Sequence, residues 1–178
     1  EKHFINIEDI ENPQKIDTQN TEHDKKTVEE FFETHQKMDA SEFLSNYDSW
    51  VISTADLDDL EFALERVLMN ILLYNDFTEA LPDIVLMLET YNSFLYMFDE
   101  FDELSKVVYA IIILLRDLEF DNVSNQVMVS RLIVTTLQDL VDWKEGVFIN
   151  QDVEDVYYIN DAILNSYIQM QDLCIKHS

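Results

Sequence analysis

The chain has 178 residues, 37 Asp and Glu against 11 Lys and Arg, and a net charge of −26, yet 47% of it is hydrophobic. That apolar share fills a core, so the acidity is expected on the outside of a folded domain, where it repels phosphate backbones and anionic lipid and attracts basic protein faces. A single glycine, Gly146, and two prolines, Pro13 and Pro82, leave little material for hairpin turns or phosphate-binding loops, and the predicted fold class is all-α.

Residues 1–26 are polar and irregular, with one apolar alternation at Phe4, Ile5, Ile7 and Ile10, and read as an N-terminal tail or arm. Residues 27–178 read as a single helical bundle domain. The opening residues lack the basic-then-apolar pattern of a signal peptide. Cys174, the one cysteine, excludes an internal disulfide and fits a reducing compartment. The longest apolar run, 107–115, is too short for a bilayer. Cytoplasmic placement without membrane contact is therefore expected.

From Thr27 the pattern turns helical. TVEEFFETHQ (27–36) and SEFLSNYDSW (41–50) predict one or two short helices with Phe31, Phe32, Phe43, Leu44, Tyr47 and Trp50 at helical spacing. Ser53 or Thr54 can cap the next helix, whose apolar stripe runs through Leu57, Leu60, Leu64, Val67, Leu68, Ile71 and Leu72. Pro82 suits the first position of the helix that follows, with Asp83 at the positive end of its dipole. Helix is also predicted over 102–118. Its VVYAIIILL run by itself could be a buried strand, but Leu104, Val108, Ile111, Leu115 and Leu118 extend the helical spacing on both sides.

Asp121, Asn122 and Ser124 mark a break. Val129, Leu132, Ile133, Leu137, Leu140 and Val141 then give a helix ending near Trp143 to Gly146, and GVFINQ reads as a connector. A last helix is predicted to start at Asn150 or Asp152, with Val156, Ile159, Ile163, Tyr167, Met170 and Cys174 on one face. Short links between helices imply an up-and-down antiparallel bundle of about five long helices preceded by one or two short ones. The two most apolar segments, around 83–99 and 103–118, should lie deepest.

Three acidic clusters carry much of the charge: Asp56, Asp58, Asp59 and Glu61; Asp99, Glu100, Asp102 and Glu103; Asp152, Glu154 and Asp155. Each falls where a helix N-terminus is predicted, and dipole stabilisation and capping account for one or two carboxylates apiece. The surplus points to a surface for a basic protein face, or to imitation of nucleic acid. Metal and cofactor chemistry find no footing. No Glu-x-x-His pair exists for a di-iron bundle, the lone glycine does not sit in a calcium loop, and one cysteine with scattered histidines makes no zinc site.

No residue is assigned a catalytic role. His35, with Lys37 two residues away, is the only candidate for histidine phosphotransfer, but residues two apart do not share a helix face. Asp121 with Asn125, and Asp161 with Asn165, have the i, i+4 spacing by which an acid and an amide orient water in auxiliary phosphatases of response regulators. Trp143, Phe148, Tyr157 and Tyr158 read as an interface patch, with Tyr158 the outward one of its pair.

The function expected from these features is a non-enzymatic cytoplasmic interaction module, working in a regulatory or signalling assembly, without a cofactor. Its partner is a protein with a basic face, not nucleic acid or membrane, and self-association into a homo-oligomer is compatible with the sequence. An auxiliary phosphatase or phosphotransfer-like partner of a response regulator is the alternative, and a DNA-mimic inhibitor of a basic protein the third.

Overall fold

The computed structural model describes residues 35–48, 52–74, 77–120, 123 and 125–174. The tail expected at 1–26 and most of the first short helix lie outside these residues. Six α-helices are present among the described residues, and no strand: α1 Ala40–Ser45, α2 Ala55–Tyr74, α3 Phe77–Leu95, α4 Asp102–Arg116, α5 Gln126–Lys144 and α6 Asn160–Cys174. A 3-10 turn, Asp99–Phe101, leads into α4, and a π-helical turn, Glu145–Asn150, continues α5. The all-α bundle with five long helices stands as predicted.

Local chemistry sets several of the boundaries. Asp39 caps α1 by accepting the Glu42 N–H at 2.8 Å, and Asn125 caps α5 by accepting that of Met128 at 3.2 Å. The Thr54 carbonyl accepts the first backbone bonds of α2, from Leu57 and Asp58. The VVYAIIILL run is helical, because its flanks keep one face apolar: Leu104, Val107, Val108, Ile111, Ile112 and Leu115 are all buried. Pro82 is not at the start of α3. The helix begins five residues earlier, at Phe77, and the exposed proline sits inside it, where it has no N–H to offer the Thr78 carbonyl.

Helix α4 packs on α3 and on α6, α2 on α3, and α5 on α6. The bonds from Tyr91 of α3 to Glu61 of α2, and from Ser105 of α4 to Asn92 of α3, join residues at matching distances from each link, as antiparallel neighbours require. At the end of the bundle where α3 turns into α4, six buried aromatic rings meet: Phe43, Phe94, Phe98, Phe101, Trp143 and Phe148. Their neighbouring centroids lie 4.9–5.9 Å apart, mostly edge-to-face or tilted. Such pairs contribute roughly 0.5–1.5 kcal/mol each beyond the area they bury.

The last helix starts at Asn160, not at Asn150 or Asp152. Gln151 turns the chain through a left-handed conformation, φ 56°, which few residues with a side chain adopt, and the Asp152 N–H closes onto the Gly146 carbonyl at 3.1 Å. Residues 151–159 then spend their backbone groups on tertiary partners. Val153 accepts from the Ala40 N–H at 3.1 Å, and the Val156 N–H donates to the Met38 carbonyl at 2.8 Å. The Val156 carbonyl accepts from Trp143 Nε1 at 2.9 Å. A helix through this segment would have to surrender these bonds. Gly146 is required by the same packing, since a Cβ there would stand 2.7 Å from Val153 Cγ1.

Trp143 and Phe148 are therefore core residues and not part of an exposed patch. The α5 stripe of Val129, Ile133, Thr136, Leu137 and Leu140 simply continues through Trp143, Lys144, Val147 and Phe148. Trp143→Ala is expected to cost about 3–5 kcal/mol of unfolding free energy, as for other buried aromatics. Trp143→Phe should cost about 1–3 kcal/mol, from lost volume and a Val156 carbonyl deprived of its indole donor. Urea denaturation of both variants checks this, and a Trp143→Ala loss below 1 kcal/mol would place the ring outside the core.

Candidate functional site

Two of the three acidic clusters fold together. The second occupies the 3-10 turn and the first turn of α4, where negative charge faces the positive end of the helix dipole. No side chain caps α4 at Phe101, so these acids bond sideways instead. Asp102 pairs with Lys106 at 2.6 Å, Glu103 lies 3.0 Å from His35 Nε2, and Glu100 accepts the Tyr47 hydroxyl. The third cluster is not at a helix N-terminus, because α6 begins later. Asp152 and Glu154 are exposed in the 151–159 segment, and Asp155 accepts its neighbour's N–H, that of Tyr157, at 3.2 Å.

Tyr157 stands where the two clusters meet. Burial, and then the charges of Glu100, Asp155 and Glu103, push its hydroxyl pKa up. Tyr47 is shifted the same way by burial, by its bond to Glu100 and by the charges of Glu100 and Asp99. His35 stacks on Tyr157 with ring centroids 4.5 Å apart. It does so from a non-helical segment, contrary to the short helix expected there, and its Nε2 is engaged by Glu103. Both features remove it from the geometry of a phosphotransfer histidine, which needs a free ring in mid-helix. Tyr158 points outward at 49% exposure, beside Asp142, Asp139 and Asp152. Of the four residues expected at an interface, Tyr157 and Tyr158 reach the surface, in different acidic surroundings.

The first cluster belongs to a second arrangement, and the sequence reading missed its centre. Lys144 is 1% exposed. Its ammonium donates to Asp58 at 2.6 Å and to Glu61 at 2.9 Å, with Glu145 at 3.6 Å. The buried Tyr91 donates its hydroxyl to Glu61 at 2.6 Å. Helices α2, α3 and α5 are thus tied at one point. Burial alone would lower the Lys144 pKa; the hydrogen bonds and charges of Asp58 and Glu61 outweigh it, and the net direction is up. For Tyr91, burial, the bond to Glu61 and the surrounding charge all push up. Periodicity carried a signal: Glu61 lies four after Leu57, and Lys144 four after Leu140, so both are polar residues on apolar stripes.

The remaining candidates are placed plainly. Asp56, on the first turn of α2, and Asp59, just beyond it, are exposed. Asp121 lies outside the described residues, and Asn125 is occupied as the α5 cap. Asp161 and Asn165 are both exposed on α6, one turn apart. Cys174 is half-buried, and burial pushes its thiol up to about 11. No group of three or more His, Cys, Asp or Glu side chains among the described residues is arranged to hold a metal ion. Among them, too, no helix is long and apolar enough to cross a membrane. Comparison with protein-family models, curated proteins and solved structures finds no match to this chain.

Removing the two halves of the Lys144 site should have unequal costs. In Lys144→Met, Asp58, whose side chain is 55% exposed, keeps much of its water, and the 18% exposed Glu61 keeps the Tyr91 hydroxyl, so the expected loss is about 1–3 kcal/mol. The double variant Asp58→Asn/Glu61→Gln leaves a buried ammonium with little counter-charge and should lose about 3–5 kcal/mol. Chemical denaturation ranks the two, and the reverse order would mean that the lysine finds water.

The same groups fix the response to alkali. The pKa values of Lys144, Tyr47, Tyr91 and Tyr157 are raised by folding, and burial pushes Tyr167 up to about 12. Above the ordinary tyrosine value of 10.0 the folded chain holds protons that the unfolded chain has released. Their contribution is complete below that pH and is lost as pH rises through the folded values. The melting temperature should therefore fall steeply above about pH 10, and in Tyr91→Phe the fall should be shallower. An unchanged slope in that variant would remove Tyr91 from the linkage.

Proposed function

We propose that the protein is a non-enzymatic interaction module whose acidic face receives the basic face of another protein. One observation carries the reading: acidic runs about fifty residues apart in sequence, 99–103 and 152–155, converge around Tyr157, and the pairing of Lys106 with Asp102 offsets little of that charge. Like charges brought together oppose folding, and a basic partner relieves that repulsion. Tyr157, half-buried within that field, supplies ring area for contact. Cytoplasmic placement belongs to the same proposal and rests on the single cysteine. No cofactor enters it.

A second reading, an auxiliary phosphatase of a response regulator, is favoured by the exposure of Asp161 and Asn165 one turn apart on α6. Its test is direct: release of phosphate from a phospho-aspartyl receiver domain, abolished by Asn165→Ala. Imitation of DNA would show as salt-sensitive competition with DNA for one basic protein.

Affinity capture from the native lysate tests the leading reading, using the wild type and the variant Asp99→Asn/Asp102→Asn/Glu154→Gln. Basic proteins retained by the wild type at low salt should be lost from the variant and should elute from the wild type near 0.3 M salt, where the screening length is down to about 5–6 Å. Identical captured sets from both would remove this face from the function.

A further inference from the structure

We propose that residues 151–159 are a switch segment: residues 38–45 hold it out of α6, and when they undock it joins α6 as about two further turns of helix.

The residue pattern of the segment is helical. Val156 and Ile159 continue backwards, at helical spacing, the stripe that Ile163, Tyr167 and Met170 form on α6. Asp152 is a favoured helix cap, and Glu154 and Asp155 would then lie in the first turn, at the positive end of the dipole. No Gly or Pro interrupts residues 152–174. A helix over 153–174 would also lie beside 126–150 as a hairpin of nearly matched arms joined by a short link.

Part of that helix is already begun. The Tyr158 N–H donates to the Asp155 carbonyl at 3.2 Å and the Asn160 N–H to the Tyr157 carbonyl at 3.0 Å, two tight turns that lead into α6. What stops it is competition for the same backbone groups. In a helix capped at Asp152, the Val156 N–H donates to the Asp152 carbonyl and the Val153 carbonyl accepts from Tyr157. Here the Val156 N–H goes to the Met38 carbonyl at 2.8 Å, and the Val153 carbonyl accepts from Ala40 at 3.1 Å. The Tyr157 N–H is turned instead to the Asp155 side chain. One N–H does not serve both acceptors, so the two arrangements exclude each other, as a two-state element requires.

The present arrangement also carries a cost. Asn160, at the first position of α6, is buried, and its Oδ1 meets no donor among the described residues. The contacts that offset this cost come from one short element. Helix α1 has six residues, too few to persist by itself, and is anchored by Phe43 in the aromatic cluster and by packing on the π-helical turn. Undocking it frees Val153 and Val156 together. It also disperses the acidic face, because Asp155 and Tyr157 leave Glu100 and Glu103 as they enter the helix. The switch does not require that face to bind a partner.

The test is NMR of the full-length chain, with saturation-transfer spectra that read the Cα shifts of minor states over 152–160. Ala40→Pro removes the N–H given to Val153 at the first position of α1, where a helix tolerates proline, and Asp39 before it already has the extended ψ of 163° that proline demands. The helical population of 153–159 should rise about tenfold over wild type. Adding Asp152→Ala should lower it about fivefold by removing the cap of the longer helix, while Asp152→Asn keeps it. Phe43→Leu, which weakens the anchor of α1, should act in the same direction and decides the matter if Ala40→Pro does not fold. Random-coil shifts over 153–159 in the loosened variants, no helical state in either, or a helical population indifferent to Asp152→Ala would overturn the proposal.

Discussion

A buried ammonium holds this bundle in register. Lys144 is the point at which α5 meets α2, through Asp58 and Glu61, and Glu61 in turn accepts the hydroxyl of Tyr91 on α3. Taking a lysine out of water is unfavourable by several kcal/mol unless its donors are satisfied, so a fold that displaced α2 from α5 would leave that cost standing. Apolar packing alone is tolerant of small slides between helices. Directed bonds from one cation to two carboxylates are not, which makes the site a specifier of arrangement more than a source of net stability.

The aromatic cluster does comparable work at the α3–α4 corner by a different means. Its rings come from α1, α3, the link after α3, the 3-10 turn, α5 and the π-helical turn. The Trp143 indole then reaches out of the cluster to the Val156 carbonyl, and the backbone bonds of Val153 and Val156 to Ala40 and Met38 draw the 151–159 segment over it. That segment is what carries Asp155 and Tyr157 to Glu100 and Glu103. The acidic face is thus a consequence of core packing: without the indole bond and the close approach allowed by Gly146, the third cluster would lie elsewhere.

Function enters through what the fold leaves on its surface. Carboxylates that could have been spread evenly are gathered around Tyr157 and Tyr47, and α2 is left with covered and uncovered sides. The two surfaces differ in chemistry: one is a field of carboxylates, the other exposes the apolar side chains Phe62 and Met69.

The helices themselves were legible in the residue pattern, because 3.6-residue periodicity follows from which side chains must leave water. It placed α2 and α4 within a few residues, read VVYAIIILL as helix from its flanks, and put Tyr158 outward. The same periodicity, followed past Leu140, would have brought Trp143, Lys144 and Phe148 inside. Gly146, read as part of a connector, hid that continuation. Tertiary structure alone decided the rest. Whether 151–159 forms a helix depends on which partners its backbone groups find, and those partners lie more than a hundred residues away at Met38 and Ala40. Whether Asp58 caps a helix or binds a buried lysine depends on where α5 ends. Local sequence fixes what a segment can form by itself, while hydrogen bonds and charges between distant residues choose among those forms only once the chain has closed around them.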